Sequence, residues 1–514
     1  MRLHRFHGGL KLPRHKAEST ASAIRPGPLP ARLVVPLLQH AGSAARPCVE
    51  PGQQVLRGDR IGVAGGERGA DVHASSSGRV HAVLAADRKG AGEAAVDGSA
   101  SDGSDAAVVI ECDGRDEWRR LPALEQPLQQ PPATLLARIR EAGVVGLGGA
   151  AFPTADKLAI ARDLLVLNGA ECEPYIACDD RLLRERAEDV VQGGLLLARI
   201  TGAARTVLAI EDAMPEALAA ARAAVAASAA AIEVVAVPTV FPEGGERQLI
   251  RVLTGREVPA DGLPRDIGVL VQNVGTAAAA WRAAALGEAL TSRIVTVTGV
   301  GVRDPGNFEV RFGTSVADLV AAAGGYTEAA ARLVIGGPMM GQALAHDGHA
   351  IGKASNCVLV LGAEDVRDPA PMLPCIRCSA CARVCPAQLL PQQLYAFIGA
   401  GQWARTADHG LDACIECGCC DLVCPSHLPL VEWFRFGKSE LHARAAESAL
   451  AAGARERFEA RQRRTAREDE ERAARRARAA APDAVRATLA RLAVPAPPPQ
   501  ADDTPPDDPQ APPR

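Results

Sequence analysis

Three things are scarce in this sequence, and each excludes a class of protein. Aromatic residues make up only 3% of the 514 residues, too few for the core of a large all-β protein. No uncharged apolar run approaches the ~18 residues of a membrane-spanning helix; the best candidate, residues 269–290, is alanine-rich and broken by Arg282. Neither sign of charge dominates, with 57 Lys+Arg against 61 Asp+Glu and a formal net charge of −4, so no general attraction to nucleic acid is expected. The basic start, residues 1–19, lacks the apolar segment of a secretory signal. The chain is expected to be made and kept in the cytoplasm, with any membrane attachment running through protein partners or a local patch.

What is present points elsewhere. Glycine (49) and proline (37) are plentiful, which fits many short turns, and the length fits three or four domains. Fourteen cysteines agree with a reducing compartment. Eight of them form two copies of one pattern, Cys375-x-x-Cys378-x-x-Cys381-x-x-x-Cys385-Pro386 and Cys414-x-x-Cys417-x-x-Cys420-x-x-x-Cys424-Pro425. Three thiolates on a tight loop reach three irons of a cubane, and in a duplicated pattern the fourth ligates the other cluster. This assigns Cys375, Cys378, Cys381 and Cys424 to one [4Fe-4S] cluster, and Cys414, Cys417, Cys420 and Cys385 to its partner. Zinc favours two separated cysteine pairs, and disulfide frameworks belong to short secreted chains. Cys419 reads as a bystander. Cys48, Cys112, Cys172, Cys178 and Cys357 fall in no ligand-spaced group and read as structural.

Residues 33–84 alternate short β-branched runs with turn glycines, as in a small β-sandwich or barrel. The run Val49-Glu50-Pro51-Gly52 to Gly62, followed by Ser77-Gly78-Arg79-Val80, resembles a biotinyl/lipoyl-carrier hairpin. No lysine lies between Pro51 and Leu84 to carry a prosthetic group, so the module reads as structural. Residues 85–107, rich in Ala, Gly, Asp and Ser, read as a flexible insertion.

From Thr134 the pattern becomes α/β. A helical run over residues 135–142 leads into the glycine cluster of residues 143–157, where backbone amides can approach a phosphate. Gly146-x-Gly148-x-x-Ala151 fits a dinucleotide fingerprint but follows a helix and not a strand, which makes it weak alone. Short apolar strands over residues 164–167, 206–210, 232–237 and 267–271 each deliver polar groups at one end, where open α/β sheets bind ligands. Residues 292–340 read as a small α+β unit. Residues 439–492 are dense in Ala, Arg and Glu and should be helical, as either a solvated face or a docking element. Residues 494–514 read as disordered.

Four stretches occurring in order, Gly146-Leu147-Gly148-Gly149-Ala150-Ala151-Phe152-Pro153-Thr154, Asn168-Gly169-Ala170-Glu171-Cys172-Glu173-Pro174, Gly244-Gly245-Glu246-Arg247-Gln248-Leu249-Ile250 and the paired cysteine motifs, together resemble the RnfC/RsxC family of the Rnf/Rsx ion-translocating electron transport complex. The resemblance runs from about residue 6 to about residue 438. The α/β part of that family is similar to the FMN- and NADH-binding flavoprotein subunit of respiratory complex I. By that resemblance, Gly146, Gly148 and Gly149 line the flavin phosphate and Lys157 supplies a cation to it. Asn168, Asn273 and Thr276 hold the flavin from strand ends, Glu171, Glu173 and Glu246 border the flavin/nicotinamide pocket, and Phe152 stacks on a base ring. Leu147 and Ala151 depart from the arginine and glycine common in the complex I loop.

The resulting expectation is a multidomain α/β chain. It comprises a lipoyl-like β module over 1–115, a Rossmann-like FMN/NADH domain over 125–290 and a β-grasp module over 291–345. A helical two-[4Fe-4S] ferredoxin-like domain over 350–438 and a helical, then disordered, Pro-rich tail over 439–514 follow. The function implied is that of a peripheral oxidoreductase subunit on the cytoplasmic side of the inner membrane, within an ion-translocating complex. It would pass electrons between NAD(H) and a low-potential carrier through FMN and two clusters. Its implied partners are integral membrane subunits, a ferredoxin-like subunit and a ferredoxin-type carrier, with no nucleic acid. No side chain need act as acid, base or nucleophile. Two rivals stand beside this reading: a soluble diaphorase-like subunit of a hydrogenase or bifurcating dehydrogenase, and a cluster-bearing scaffold without NADH activity.

Overall fold

The computed structural model describes residues 2–66, 68–85, 106–260, 262–366 and 371–493. Most of the expected insertion over 85–107 and the whole expected disordered tail lie outside these residues. Two units are distinguished, Met1–Lys438 and Ser439–Arg514.

In the first unit, the N-terminal module is a β-sandwich. One antiparallel sheet orders Arg32–Pro36, Ala107–Cys112, Gly78–Leu84 and Gln54–Val55, and the other orders Ser43–Pro47, Arg60–Gly65 and Val72–His73. Alternating residues face inward, so Leu33, Val35, Leu37, Ile61, Val72, Val80, Val108 and Ile110 are fully buried.

The α/β domain is built on a four-stranded parallel sheet in the order Ile232–Val237, Arg205–Glu211, Leu164–Gly169, Val269–Asn273. Strands covered on both faces need continuous apolar runs, and Leu165, Val166, Leu167, Val207, Leu208, Ala209 and Ile210 are completely buried. The 24-residue helix Cys178–Thr201 crosses the sheet, with Asp179 and Asp180 in its first turn and Gly202 closing it in the left-handed conformation. Chain order reverses between Leu164–Gly169 and Val269–Asn273, which makes their carboxyl ends the topological switch point.

The sheet of the small module expected over residues 291–345 extends beyond those bounds on both sides. This mixed sheet has six strands in the order Arg25–Pro26, Gly306–Arg311, Ser292–Thr298, Cys357–Gly362, Ala330–Ile335, Gln342–Leu344. Cys357–Gly362 therefore belongs here and not to the cysteine domain, because its apolar run pairs in parallel with Ser292–Thr298 and buries Val358, Leu359 and Val360.

The cysteine domain consists of short helices around two repeated loops. Backbone angles repeat at a fixed offset: Arg377, Ser379 and Gln388 have φ of 57°, 58° and 55°, and Glu416, Gly418 and His427 have 56°, 74° and 51°. Left-handed conformation costs a non-glycine residue roughly 1–2 kcal/mol, and such positions cluster where a loop wraps a ligand.

The final long helix, Leu430–Ala480, starts nine residues before the expected 439, because Leu430, Val431, Phe434 and Gly437 supply a buried stripe within the first unit. In the second unit no residue from 439 to 493 is buried. Its helical surface carries pairs such as Arg464–Glu468 and Arg467–Glu471 at 3.8 and 3.7 Å, each worth only about 0.3–0.5 kcal/mol.

Candidate functional site

Asn168 and Asn273 are register partners across the switch point. The Asn273 side chain caps the helix Val274–Ala285, accepting from Gly275 N at 2.8 Å and donating to Asp179 Oδ2 at 2.6 Å. Asn168 donates to the Gly244 carbonyl at 2.8 Å and accepts from Ala170 N at 3.0 Å. Thr276 Oγ1 accepts from Leu147 N at 2.9 Å, and the Leu147 carbonyl accepts from Arg293 at 3.0 Å, which ties the glycine loop to this corner. A Cβ on Gly148 would lie 3.1 Å from that of Asn273, whereas Gly149, at φ +108°, faces open space. The Gly146 amide donates to the Phe152 carbonyl at 2.9 Å. Lys157 Nζ donates to Glu246 Oε1 at 2.7 Å and to the Val271 carbonyl at 3.0 Å.

The structure thus gathers Gly146, Gly148, Lys157, Asn168, Glu246, Asn273 and Thr276 around the ends of the two strands that flank the switch point. Three predicted residues are engaged differently. Glu171 turns its carboxylate to the start of the helix Cys178–Thr201, accepting from Asp179 N at 2.9 Å and Asp180 N at 3.3 Å. Glu173 accepts from Met339 N at 2.8 Å and Met340 N at 3.1 Å. Phe152 faces the Arg68 guanidinium, 5.9 Å from its ring centre. The fit to a phosphorylated flavin rests on the donor set: a loop whose Gly149 leaves its approach open, an ammonium, and two carboxamides at a switch point. Beside these residues lies a cavity of about 250 Å³, lined among others by Arg57, Trp118, Arg186, Arg282 and Glu309. It touches the corner at Leu147 and Gly275 but includes none of the eleven predicted cofactor residues.

Sequence reasoning missed several groups here. Buried Lys16 donates to the Glu171 carbonyl and lies 3.9 Å from its carboxylate; its signal was only a basic stretch at the start of the chain. Burial, then the Glu171 charge, pushes the Asp179 carboxyl up to about 7. Cys178, read as structural, has its sulfur within 4.8 Å of ligand atoms of Glu171 and Asp179 and donates to Glu171. Burial raises Glu211 to about 7 and Glu243 to about 8. Both carry buried carboxyl oxygens without a hydrogen-bond partner.

The eight patterned cysteines line two hollows. One is bounded by Cys375, Cys378, Cys381 and Cys424, the other by Cys385, Cys414, Cys417 and Cys420 together with Cys419. Each hollow therefore draws three thiols from one loop and one from the other. The linings are otherwise mainly apolar, with Leu428 and Leu430 at the first and Leu389, Ile415, Val431 and Phe434 at the second. Four thiols around an apolar pocket fit an iron-sulfur cubane. The hollows differ in exposure: Cys375 and Cys378 are exposed, while Cys385, Cys417 and Cys420 are buried. Lys438 donates to the Cys414 carbonyl at 2.6 Å and to Glu416 at 2.7 Å.

Comparison with known proteins places families along the chain in the same order. Residues 4–115 match the RnfC barrel sandwich hybrid domain, 139–282 the Nuo51 FMN-binding domain, 294–343 the SLBB domain and 374–428 the 4Fe-4S dicluster domain. The chain thus carries an FMN-binding domain and a dicluster domain, cofactors that agree with the donor sets above. Among described residues, no helix is long and apolar enough to cross a membrane. An NAD+-reducing [NiFe]-hydrogenase structure aligns with 58% of this chain and 61% of its own, at 23% identity and a TM-score of 0.44. The RnfC subunit of the ion-translocating oxidoreductase complex of Pseudomonas aeruginosa is 48% identical over 477 residues, covering 92% of this chain. That of Salmonella gallinarum is 42% identical over 496 residues, covering 95%. The chain spans 60% of the length of the first relative and 72% of the second. At these identities and this coverage, with the four domain families in register, the chain belongs to the RnfC family of ion-translocating oxidoreductase complex subunits.

Proposed function

We propose that this chain is a peripheral subunit of a membrane-bound, ion-translocating electron transport complex, passing electrons between NAD(H) and a low-potential one-electron carrier. The observation that carries the reading is the presence, in one compact unit, of a switch-point site with flavin-type donors and two four-thiol hollows. Bound flavin accepts a hydride and releases its electrons singly, the chemistry that joins a nicotinamide to one-electron centres.

The chain's own residues bind and orient. The amides of Gly148 and Gly149 and the Lys157 ammonium hold the phosphate, and Gly146, whose amide closes the loop onto the Phe152 carbonyl, shapes its approach. Asn168, Asn273 and Thr276 hold the flavin from the strand ends. Glu246 borders the nicotinamide side, while Glu171 and Glu173 brace the segments around it. Cys375, Cys378, Cys381 and Cys424 ligate one [4Fe-4S] cluster, and Cys414, Cys417, Cys420 and Cys385 ligate the other. In this reading the protein sits on the cytoplasmic face of the inner membrane, held by integral membrane subunits, and exchanges electrons with a ferredoxin-like subunit or carrier.

The test uses anaerobically purified protein: iron and acid-extracted flavin are counted per chain, then NADH is added and the absorbance followed. The expected result is about eight irons, bound FMN, and bleaching of both flavin and clusters. The same iron without flavin or bleaching would overturn the NADH entry role and leave a cluster-bearing scaffold.

A further inference from the structure

The stretch at residues 4–16 contributes no ligand to either proposed cofactor site, yet it stitches the α/β domain to the cysteine domain. Its two ends are fastened to the α/β domain. His4 N donates to the Val252 carbonyl at 2.9 Å, the Arg14 carbonyl accepts from Tyr175 N at 2.8 Å, and the Arg14 side chain donates to the Ala213 carbonyl at 2.6 Å. His15 stacks on Tyr175 with ring centres 4.7 Å apart, and Lys16 reaches Glu171. The middle of the stretch is fastened to the loop that carries Cys385. Gly9 N donates to the Val384 carbonyl at 3.0 Å, and His7 Nδ1 lies 3.0 Å from the Cys385 carbonyl.

Between those anchors, Leu10 and Phe241 exchange backbone hydrogen bonds of 2.7 and 2.9 Å. Phe241 packs with Cys417, Cys419, Cys172 and Met339. Cys172 accepts from Gly244 N at 3.2 Å, and Gly244 is the residue that Asn168 holds at the strand end. Met339 and Met340 are fixed by Glu173. The buried hollow of Cys385, Cys414, Cys417 and Cys420 is therefore joined to the strand-end site through Phe241, Cys172 and Met339. The other hollow is lined only by residues between Cys375 and Leu430. It lies beside exposed Met372, Leu373 and Ile376, the last 68% exposed.

Gly8 and Gly9 are what make the stitch possible. Their φ values are +70° and +78°, and added Cβ atoms would lie 2.5 Å from the Val384 carbonyl oxygen and 2.8 Å from that of Phe241. A side chain at either position pushes the two domains apart.

We propose that this N-terminal strap is a positioning element for electron transfer. It clamps the buried thiol hollow onto the strand-end site, so the cluster held there is the first acceptor and the cluster beside Cys375 and Cys378 is the exit. The proposal rests on the function proposed above. Per NADH converted to NAD+, two electrons leave the strand-end site one at a time, through the buried hollow, then the exposed one, to two molecules of a one-electron carrier protein. One proton returns to solvent.

The test compares anaerobic, cofactor-loaded wild type with Gly8→Val, Gly9→Val and the milder His7→Ala. Hydrogen exchange at Leu10 and Phe241 reports release of the strap, and stopped-flow absorbance separates flavin from cluster bleaching. Variants with a released strap should keep wild-type iron, flavin, NADH-driven flavin bleaching and full cluster reduction by dithionite. Their cluster bleaching by NADH should slow roughly ten- to a hundredfold, as sub-ångström to ångström displacements do elsewhere. Wild-type cluster bleaching in a variant with a released strap, or equal slowing of flavin and cluster bleaching, overturns the proposal. The order is read separately in Cys417→Ser, where NADH should no longer reduce the exposed cluster while dithionite still does; NADH reduction at the wild-type rate would reverse the assignment. If the wild type itself shows no flavin bleaching, the failure belongs to the NADH entry role and not to the strap.

Discussion

Lys157 is held by Glu246 at 2.7 Å and the Val271 carbonyl at 3.0 Å, which leaves its ammonium fixed at the edge of the glycine loop. If it neutralises a flavin phosphate, Lys157→Met should weaken FMN binding by tenfold or more, about 1.4 kcal/mol, with little change in iron content; quenching of flavin fluorescence on titration measures this. Glu243 poses a different problem. Its carboxyl is buried, one oxygen is unpartnered, and its pKa is pushed up to about 8, against about 4.3 in an unfolded chain. The folded state therefore holds a proton that the unfolded state releases between those values. The stability this contributes is complete below about pH 4 and is lost as pH rises through 8. Glu211, raised to about 7, acts in the same sense over a narrower window. Thermal melts from pH 5 to 9 should show a midpoint whose fall is shallower in Glu243→Gln, whose neutral amide removes this titration. A fall unchanged in that variant would assign the dependence elsewhere.

At the scale of loops and strands, the doubled cysteine spacing proved the most legible feature. Spacing alone led to the exchange of Cys385 and Cys424, and the fold draws each to the hollow of the opposite loop. Cys424→Ser should accordingly cost the iron beside Cys375, Cys378 and Cys381, although those residues lie in the other repeat. Iron should fall from about eight to about four per chain, and loss of the cluster beside Cys414 instead would refute the exchange. The four parallel strands were readable because strands buried on both faces are apolar throughout. The strand Cys357–Gly362 was equally apolar, but its place in the β-grasp sheet depends on a parallel pairing with residues some sixty positions earlier, which no local pattern encodes. The helix Cys178–Thr201 escaped notice because its first two turns are rich in Asp, Arg and Glu. Its cap is completed by Glu171 from a separate loop.

The first unit as a whole is joined by single side chains that reach between its modules, and these leave little trace in sequence. Lys353 is fully buried and donates to the Asp71 carbonyl of the β-sandwich at 3.0 Å and the Gly143 carbonyl of the α/β domain at 2.8 Å. Burial pushes its ammonium down to about 7. Lys353→Met would leave two buried carbonyls without this donor, at roughly 1–3 kcal/mol each. The expected result is a lower unfolding midpoint with a chain that still binds iron, measured by calorimetry on the loaded protein; an unchanged midpoint would mean that the junction adds no stability. The same reasoning explains why Lys16 was missed: it is one residue of a basic stretch in the chain and a buried partner of Glu171 only in the fold.

The strap has a further consequence for how the molecule is made. His7 and Cys385 are 378 positions apart in the chain. At a synthesis rate of roughly 5–20 residues per second, the middle of the strap spends tens of seconds with half its anchors not yet translated. Its ends can be fastened to the α/β domain during that interval, since Val252 and Tyr175 both precede the cysteine loops in the chain. The ribosome thus delivers the iron-binding loops after the flavin-binding domain, on which their docking track is already laid.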